Sequence, residues 1–371
     1  MNIVVLQENL SNALTQGSKF LPSKTSAVSV VNNFFLQASK RQIILRATDL
    51  EATTTIQIPG KIEEEGTVLL PAKTTQSLVS LFSGEKLIIK TDKKGVVVKG
   101  EKSETILKTA PEEMFPYEET TGKSIFLKLT GEELKDIIRK IEFSVSSDVA
   151  RAVLTGVLFS NSDAGLTIVT TDGFRLSVYQ KKQVTTEWKE DIIVPVKAVR
   201  AFGSLLEEAQ ESLELRFYPE EKKLSASKKT ESIVTRLIEG SFPDYHKIIP
   251  KSAQTTIEID RLEFLKAVKL ASIFARESAN IIKMSIKGND LTVSANAPQT
   301  GENKTALSVK KTGEDLDTAF NYRFLIDILN ASEEETLMLE SNGSLQPGVF
   351  HFGKKEEYFH IIMPVRLQDS K

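Results

Sequence analysis

Few side chains in this sequence could carry covalent chemistry, and none stands at a spacing that would. The three histidines, His246, His351 and His360, show no H-E-x-x-H or similar metal-ligand spacing and read as surface or edge-strand residues. There is no cysteine, which removes disulfides, thiolate metal sites and a cysteine nucleophile, and suits a reducing cytoplasm. No G-x-S-x-G elbow occurs. Gly122-Lys123-Ser124 matches the end of a phosphate-binding loop, but that loop needs glycine where Tyr117 stands, and the surrounding glutamates would repel phosphate. The expectation is a protein with no catalytic residue, no metal and no cofactor.

Positive charge, by contrast, recurs in a pattern. Lys73, Lys197 and Arg323 occupy the same place in three segments of helical periodicity, 71–82, 195–206 and 321–331. Lys135, Arg139 and Lys140 lie along another helical segment. Arg261, Lys266, Lys269 and Arg276 lie along its counterpart, where the acids Asp260 and Glu263 are confined to the first turn and favour the helix dipole. One such helix would be an ordinary polar face. Recurrence at one repeat position points to a shared basic surface that meets phosphates without reading bases. The chain as a whole has a net charge of −2 and a pI near 6.1, unlike an ordinary tight nucleic-acid binder.

The sharpest local motif is TTDGFRLS, residues 170–177. Its Asp172-Gly173 pair reads as a tight turn between strands. Phe174, Arg175 and Leu176 exceed what a bare turn requires.

These residues are positioned by a threefold internal repeat of about 125 residues, far longer than a solenoid unit of about 20–50 residues. Each copy opens with an amphipathic helix: Leu6, Leu10, Ala13 and Leu14; Leu134, Ile137, Ile138 and Ile141; Leu262, Leu265, Val268 and Ala271. Thr130 with Glu133, and Asp260 with Glu263, have capping-box spacing. Between helices, β-branched or alternating runs predict strands, among them 43–47, 53–58, 103–109, 166–171, 175–179, 231–238 and 291–295. Hairpins are predicted for 87–90 with 96–99 and for 213–217 with 223–227. Each copy reads as two helices plus about eight strands, an α+β domain with helices on one face of the sheets. Linkers are expected at 111–123 and 240–252, where Phe115-Pro116 and Phe242-Pro243 share a repeat position, and Ala110-Pro111 matches Met363-Pro364. The division follows as 1–121, 122–250 and 251–371. A hydrophobic share of 40% with 26% charged residues suits packed, soluble domains. No signal peptide is expected at MNIVVLQENL, and no apolar run is long enough to span a membrane.

Taken together, TDGFRL (171–176), SFPDYHKIIP (241–250), the ending IIMPVRL (361–367) and the triple repeat resemble the bacterial sliding-clamp family, the β subunit of the replicative DNA polymerase. The resemblance covers the whole chain. It implies three tandem clamp domains, each with two helices on antiparallel sheets, and a head-to-tail homodimer that closes a six-domain ring around double-stranded DNA. Helices would line the hole. It implies no enzyme, but a cytoplasmic processivity factor that tethers the DNA polymerase III catalytic subunit, the clamp loader, other polymerases and repair proteins through short linear peptides. A mildly basic lining in an acidic shell suits sliding, because tight phosphate contacts would hinder it.

The resemblance assigns a partner-peptide groove to Arg151, Leu154, Thr171, Gly173, Phe174, Arg175, Leu176, Pro243, Lys247, Ile248, Asn321, Ile361, Met363, Pro364 and Arg366. Leu154, Leu176, Ile248, Ile361 and Met363 would form an apolar floor, with Met363 adaptable enough for varied partners. Arg175 would brace the groove or bond peptide carbonyls. It assigns DNA-facing roles to Lys24, Lys73, Lys135, Arg139, Lys197, Arg200, Lys266, Lys269 and Arg323. Ile273 and Phe274 would meet an edge strand near Ile106 and Leu107 at the dimer interface. Two departures from the family pattern are Val153, where a tyrosine is common near Leu154, and Lys247, where arginine is frequent. Residues 368–371 extend past the family's usual end. Two other readings exist: a repeat scaffold that never meets DNA, and a small-molecule enzyme acting at the 171–176 turn. Persistence on circular but not linear DNA separates the first from a clamp. The lack of a histidine, cysteine or metal constellation weighs against the second.

Overall fold

The computed structural model describes residues 1–366 apart from 40, 85, 110–114, 118, 163, 164, 183, 185, 187, 207 and 209. Ala110-Pro111, part of the 111–123 linker and the tail 368–371 lie outside the described residues. Among the described residues there are six α-helices: α1 (Gln7–Ser18), α2 (Ala72–Ser80), α3 (Gly131–Ile141), α4 (Val196–Ser204), α5 (Arg261–Ala275) and α6 (Tyr322–Asn330). Most of the periodic apolar positions point inward: Leu10, Ala13, Leu14, Leu134, Ile137, Ile141, Leu265, Val268 and Ala271 are buried. Leu6 and Leu262 are exceptions, at 46% and 60% exposed. Leu6 precedes α1 as its N-cap, and Leu262 sits in the first turn of α5, outside the buried stripe. The Asp260 side chain caps α5 by accepting from the Glu263 amide at 2.8 Å. Lys73, Lys197 and Arg323 are each the second residue of α2, α4 and α6.

By contact the chain divides into two compact units, Met1–Gly131 with Arg200–Leu237, and Glu132–Val199 with Ile238–Lys371. In the first unit an eight-stranded antiparallel sheet runs Ile125–Thr130, Ser212–Tyr218, Lys223–Lys228, Glu231–Arg236, Ala52–Ile58, Gln42–Thr48, Asn33–Ser39, Gly66–Pro71. A five-stranded sheet runs Gly60–Glu64, Asn2–Leu6, Lys86–Asp92, Gly95–Lys99, Glu104–Leu107. α1 packs on the Gln42–Thr48 and Ala52–Ile58 strands and against α2.

The second unit holds a nine-stranded sheet in the order Ile192–Pro195, Gly156–Ser162, Gly165–Thr171, Arg175–Lys181, Tyr358–Ile362, Gly348–His351, Thr336–Ser341, Thr255–Asp260, Lys310–Gly313. Its four-stranded sheet runs Gly301–Ser308, Asp290–Ala297, Ile281–Lys287, Leu316–Asn321. α5 lies on the Asp290–Ala297 and Gly301–Ser308 strands beside α6, closing a core that includes Phe264, Val268, Ile282, Met284, Leu325 and Phe350.

Two features differ from the sequence reading. Each large sheet is shared between consecutive copies, because Glu231–Arg236 pairs with Ala52–Ile58 and Arg175–Lys181 pairs with Tyr358–Ile362. Pairing satisfies backbone edges that separate domains would expose. The Arg175–Lys181 pairing puts the strand of His360 inside its sheet, His351 lies on the interior strand Gly348–His351, and both are buried, not on edges or the surface. The strand expected at 103–109 is shorter, Glu104–Leu107, and that at 231–238 ends at Arg236. Among the described residues no helix is long and apolar enough to cross a membrane.

Candidate functional site

The TTDGFRLS turn is built from its own side chains. Thr171 Oγ1 donates to the Arg175 carbonyl at 2.6 Å and accepts from the Gly173 amide at 3.1 Å. Asp172 Oδ1 accepts from the amides of Phe174 and Arg175 at 2.9 and 3.0 Å. Gly173 sits at φ +93°, where a side chain is strained, and a Cβ there would approach an Arg151 guanidinium nitrogen at 3.0 Å. The turn thus pushes Phe174 out of the sheet, 61% exposed.

Strand pairing delivers the chain's far end to this turn. Leu176 lies opposite Ile361 and Arg175 opposite Ile362, and the Met363 amide donates to the Phe174 carbonyl at 2.9 Å. Segment 238–249 folds across the same sheet: the Ile238 amide bonds the Ile193 carbonyl at 2.8 Å, and Tyr245 enters a core with Leu158, Val178, Phe359 and Ile361. Val153, Phe242 and Ile249 pack against that core. Thr171, Phe174, Ile248, Met363 and their neighbours therefore gather on one unit.

The apolar floor differs from the expected one. Leu154, in a 3-10 turn over Val149–Thr155, and Leu176 and Ile361, on paired interior strands, are only 6%, 2% and 1% exposed. Of the apolar groove candidates, Phe174, Ile248 and Met363 are exposed, the last two at 41% and 39%. Arg151, Pro243, Lys247 and Arg366 are exposed, and Pro364 half-buried. Lys247 is ion-paired with Asp244 at 3.1 Å, and Arg151 with Asp148 at 3.1 Å. Asn321 serves as the N-cap of α6, its side-chain oxygen accepting from the Arg323 amide at 3.0 Å.

Arg175 braces the site and does not present itself to a peptide. Nε donates to Asp172 Oδ2 at 3.0 Å, Nη1 to Asp327 Oδ2 at 2.6 Å, and Nη2 to the Phe143 carbonyl. Its plane stacks near Phe324 at 4.3 Å and Phe143 at 5.4 Å, and its side chain is 9% exposed. Asp327, Phe143 and Phe324 carried no signal in the sequence, because only folding sets them around one guanidinium. Arg175→Ala would strand two carboxylates and a carbonyl, and we expect a loss of about 3 kcal/mol of stability. Arg175→Lys should recover only part, because an ammonium cannot fork to three acceptors. An unchanged melting temperature for Arg175→Ala would refute the bracing role.

Beneath the brace lies a buried polar chain. Ser144 Oγ sits 2.6 Å from Thr170 Oγ1 and 2.9 Å from Ser177 Oγ, and Ser177 Oγ sits 2.8 Å from His360 Nδ1. Burial first, then the charge of Arg175, holds the His360 imidazole well below its ordinary pKa, so it is neutral at neutral pH. A serine beside a histidine could suggest nucleophilic chemistry, but both are fully buried, which leaves no room for a substrate. Among the described residues no group of three or more His, Cys, Asp or Glu side chains is arranged to hold a metal.

The basic candidates lie on helices and one loop. In the first unit Lys24, Lys73 and Arg200 are exposed. In the second, Lys135, Lys266, Lys269 and Arg323 are exposed and Lys197 is half-buried. Arg139 is partly neutralised by Asp136 at 2.8 Å and Glu333 at 3.2 Å. Of the interface candidates, Ile106 and Ile273 are 48% and 55% exposed, whereas Leu107 is buried and Phe274 packs against the third copy's core. Leu107 follows Ile106 on a strand, so it faces the opposite side.

Family models for the N-terminal, central and C-terminal domains of the DNA polymerase III beta subunit match residues 1–119, 128–244 and 246–366. The beta sliding clamp of Chlamydia muridarum is 28% identical over 373 residues, spanning all of both chains. That of Vibrio cholerae is 25% identical, spanning 99% of this chain and 100% of its own. Among solved structures, a putative DNA polymerase III beta subunit from Eubacterium rectale superposes with a TM-score of 0.93 at 23% identity, covering 99% of this chain and 100% of that one. The DNA polymerase III beta chain of Streptococcus pneumoniae gives 0.91 at 25% identity, with the same coverage.

Proposed function

This chain belongs to the DNA polymerase III beta subunit family, the sliding clamps, and from that premise we infer that it is a non-catalytic DNA sliding clamp conferring processivity. The observation that carries the reading is the end-to-end match of three successive clamp domains, joined to a basic residue recurring second in α2, α4 and α6. We place the domains at 1–121, 122–250 and 251–371. Two copies join head to tail and encircle double-stranded DNA in the bacterial cytoplasm. The groove around Phe174, Ile248 and Met363 takes short linear peptides of the DNA polymerase III catalytic subunit, the clamp loader, other polymerases and repair proteins. Met363 gives it a soft wall that suits varied apolar anchors.

A net charge of −2 fits this function. A topological link needs no tight contact, and a sparse basic lining holds phosphates weakly enough to slide. The test is retention. Loaded onto a nicked circle, the protein should remain through gel filtration and be lost once the circle is linearised. Equal loss from both substrates would reject the clamp.

The lining makes a separate expectation. Lys73→Glu, Lys197→Glu and Arg323→Glu together should lower affinity for open DNA by about tenfold or more at ~0.15 M salt, and flatten its salt dependence. Loading and processive synthesis should fall with it. Normal loading by the triple variant, or a wild-type footprint on a defined sequence, would place DNA elsewhere.

A further inference from the structure

The turn that builds the peptide groove occurs a second time, in the first unit. Thr48 Oγ1 donates to the Ala52 carbonyl at 3.0 Å and accepts from the Leu50 amide at 3.1 Å. Asp49 Oδ1 accepts from the amides of Glu51 and Ala52 at 3.1 and 2.9 Å. Every one of these bonds has its counterpart in Thr171 to Arg175. The neighbouring strand repeats the register too: Thr235 pairs with Ala52, and the Arg236 amide donates to the Glu51 carbonyl at 2.9 Å, as Met363 does to Phe174. Arg236 is thus the counterpart of Met363, Glu51 of Phe174, and Leu50 of Gly173.

Between this turn, segment 115–117 and the end of the Glu231–Arg236 strand lies a cavity of about 310 Å³. That is within the range of small-ligand pockets. Leu50 adopts φ +78°, a conformation that disfavours a leucine, and is 43% exposed beside the cavity. Phe115 stacks on Phe35 at 5.2 Å, and Arg46 lies over Tyr117 at 4.2 Å, so the aromatic wall is fixed. The mouth is charged where the other groove is apolar. Arg236 is exposed, and its side chain has no hydrogen bond or ion pair among the described residues. Lys223 also lines the cavity but is ion-paired with Glu221 at 3.0 Å, and Glu51 is the acid of the lining.

We propose that this pocket is a second peptide site, taking a linear segment of a partner protein in which an apolar anchor is followed by a carboxylate. The anchor fills the space between Leu50 and the Phe115-Tyr117 wall, and the carboxylate meets Arg236. Arg236, exposed and without an ion pair among the described residues, supplies the charge that meets it. An all-apolar peptide gains less here, because Glu51 and Arg236 stand where Phe174 and Met363 would receive it. The proposal rests on reading the Phe174–Met363 groove as a peptide site.

The test uses two fluorescein-labelled hexapeptides, GSLFDG and GSLFKG, followed by anisotropy on the full chain. The Met363→Ala variant weakens the apolar groove, and it should still bind GSLFDG. Adding Arg236→Glu in that background should lower GSLFDG affinity by about tenfold and make GSLFKG the better ligand. Melting temperatures check that both exposed substitutions leave the fold intact, and Arg236→Gln, which removes charge without reversing it, should fall between. The site is overturned if GSLFDG shows no saturable binding up to ~1 mM, if Met363→Ala alone abolishes binding, or if Arg236→Glu changes nothing. A separate apolar, glutamine-containing polymerase peptide keeps the two readings distinguishable. Its loss in Met363→Ala supports the groove whatever GSLFDG does, and its indifference to that change removes the groove on which the proposal rests.

Discussion

Ile273→Asp should leave this chain folded but monomeric. Ile273 is 55% exposed on α5, and Leu270, one turn earlier, is 39% exposed, so the isolated chain shows water an apolar strip. The Gly301–Ser308 strand on which α5 packs is the edge of its sheet. In the first unit, Glu104–Leu107 is also an edge strand, with Ile106 48% exposed. Two unpaired edges, each beside apolar surface, suit a head-to-tail contact in which unlike surfaces meet and a two-fold rotation closes the ring. Burying one isoleucine stabilises by about 1.5–3 kcal/mol, and burying an unpaired carboxylate instead costs several more. A closed dimer has two such contacts, so the loss counts twice. Phe274→Ala is a poorer probe, because Phe274 packs against the core of its own domain. Light scattering at micromolar concentration, with a melting curve as control, reads the outcome. A dimer of Ile273→Asp with wild-type mass would move the interface elsewhere.

The sequence made the helices legible because their apolar spacing is local. Ten of the twelve leading positions followed the stripe to the interior or its margin, and Leu6 and Leu262 failed only because each stands at a helix start. The 170–177 turn was legible for the same reason: threonine, aspartate and glycine close it with bonds spanning no more than four residues. The shared sheets were not legible. Nothing local says that Glu231–Arg236 pairs with Ala52–Ile58 or Arg175–Lys181 with Tyr358–Ile362, and the second pairing makes the strand of His360 interior. The groove shows the same limit. Its residues came from resemblance, but which of them face outward depends on whether they lie within the paired strands or beyond their ends. Leu176 and Met363 are both apolar, yet one is 2% and the other 39% exposed.

That difference decides how the groove is tested. Leu176→Ala would empty a packed site among Leu158, Val178, Tyr245 and Phe359 and cost about 2–5 kcal/mol, so lost peptide binding would say little. Met363→Ala with Ile248→Ala removes side chains that are each about two-fifths open and outside the packed core. The Met363 amide still bonds the Phe174 carbonyl, because that contact is backbone alone. The pair should melt close to wild type and keep the dimer mass. Binding is another matter. A few apolar anchors dominate such interfaces, and losing two should together cost about 3 kcal/mol or more. The expected result is at least ~100-fold weaker binding of polymerase-derived peptides. Retention on closed circular DNA should be unchanged, because nothing in the topological link passes through Met363 or Ile248. Fluorescence anisotropy with the peptide, beside retention on the circle, separates the two functions. Unchanged peptide affinity in the folded double variant would put the partner site elsewhere, while parallel loss of DNA retention would mean that the groove and the ring are not independent.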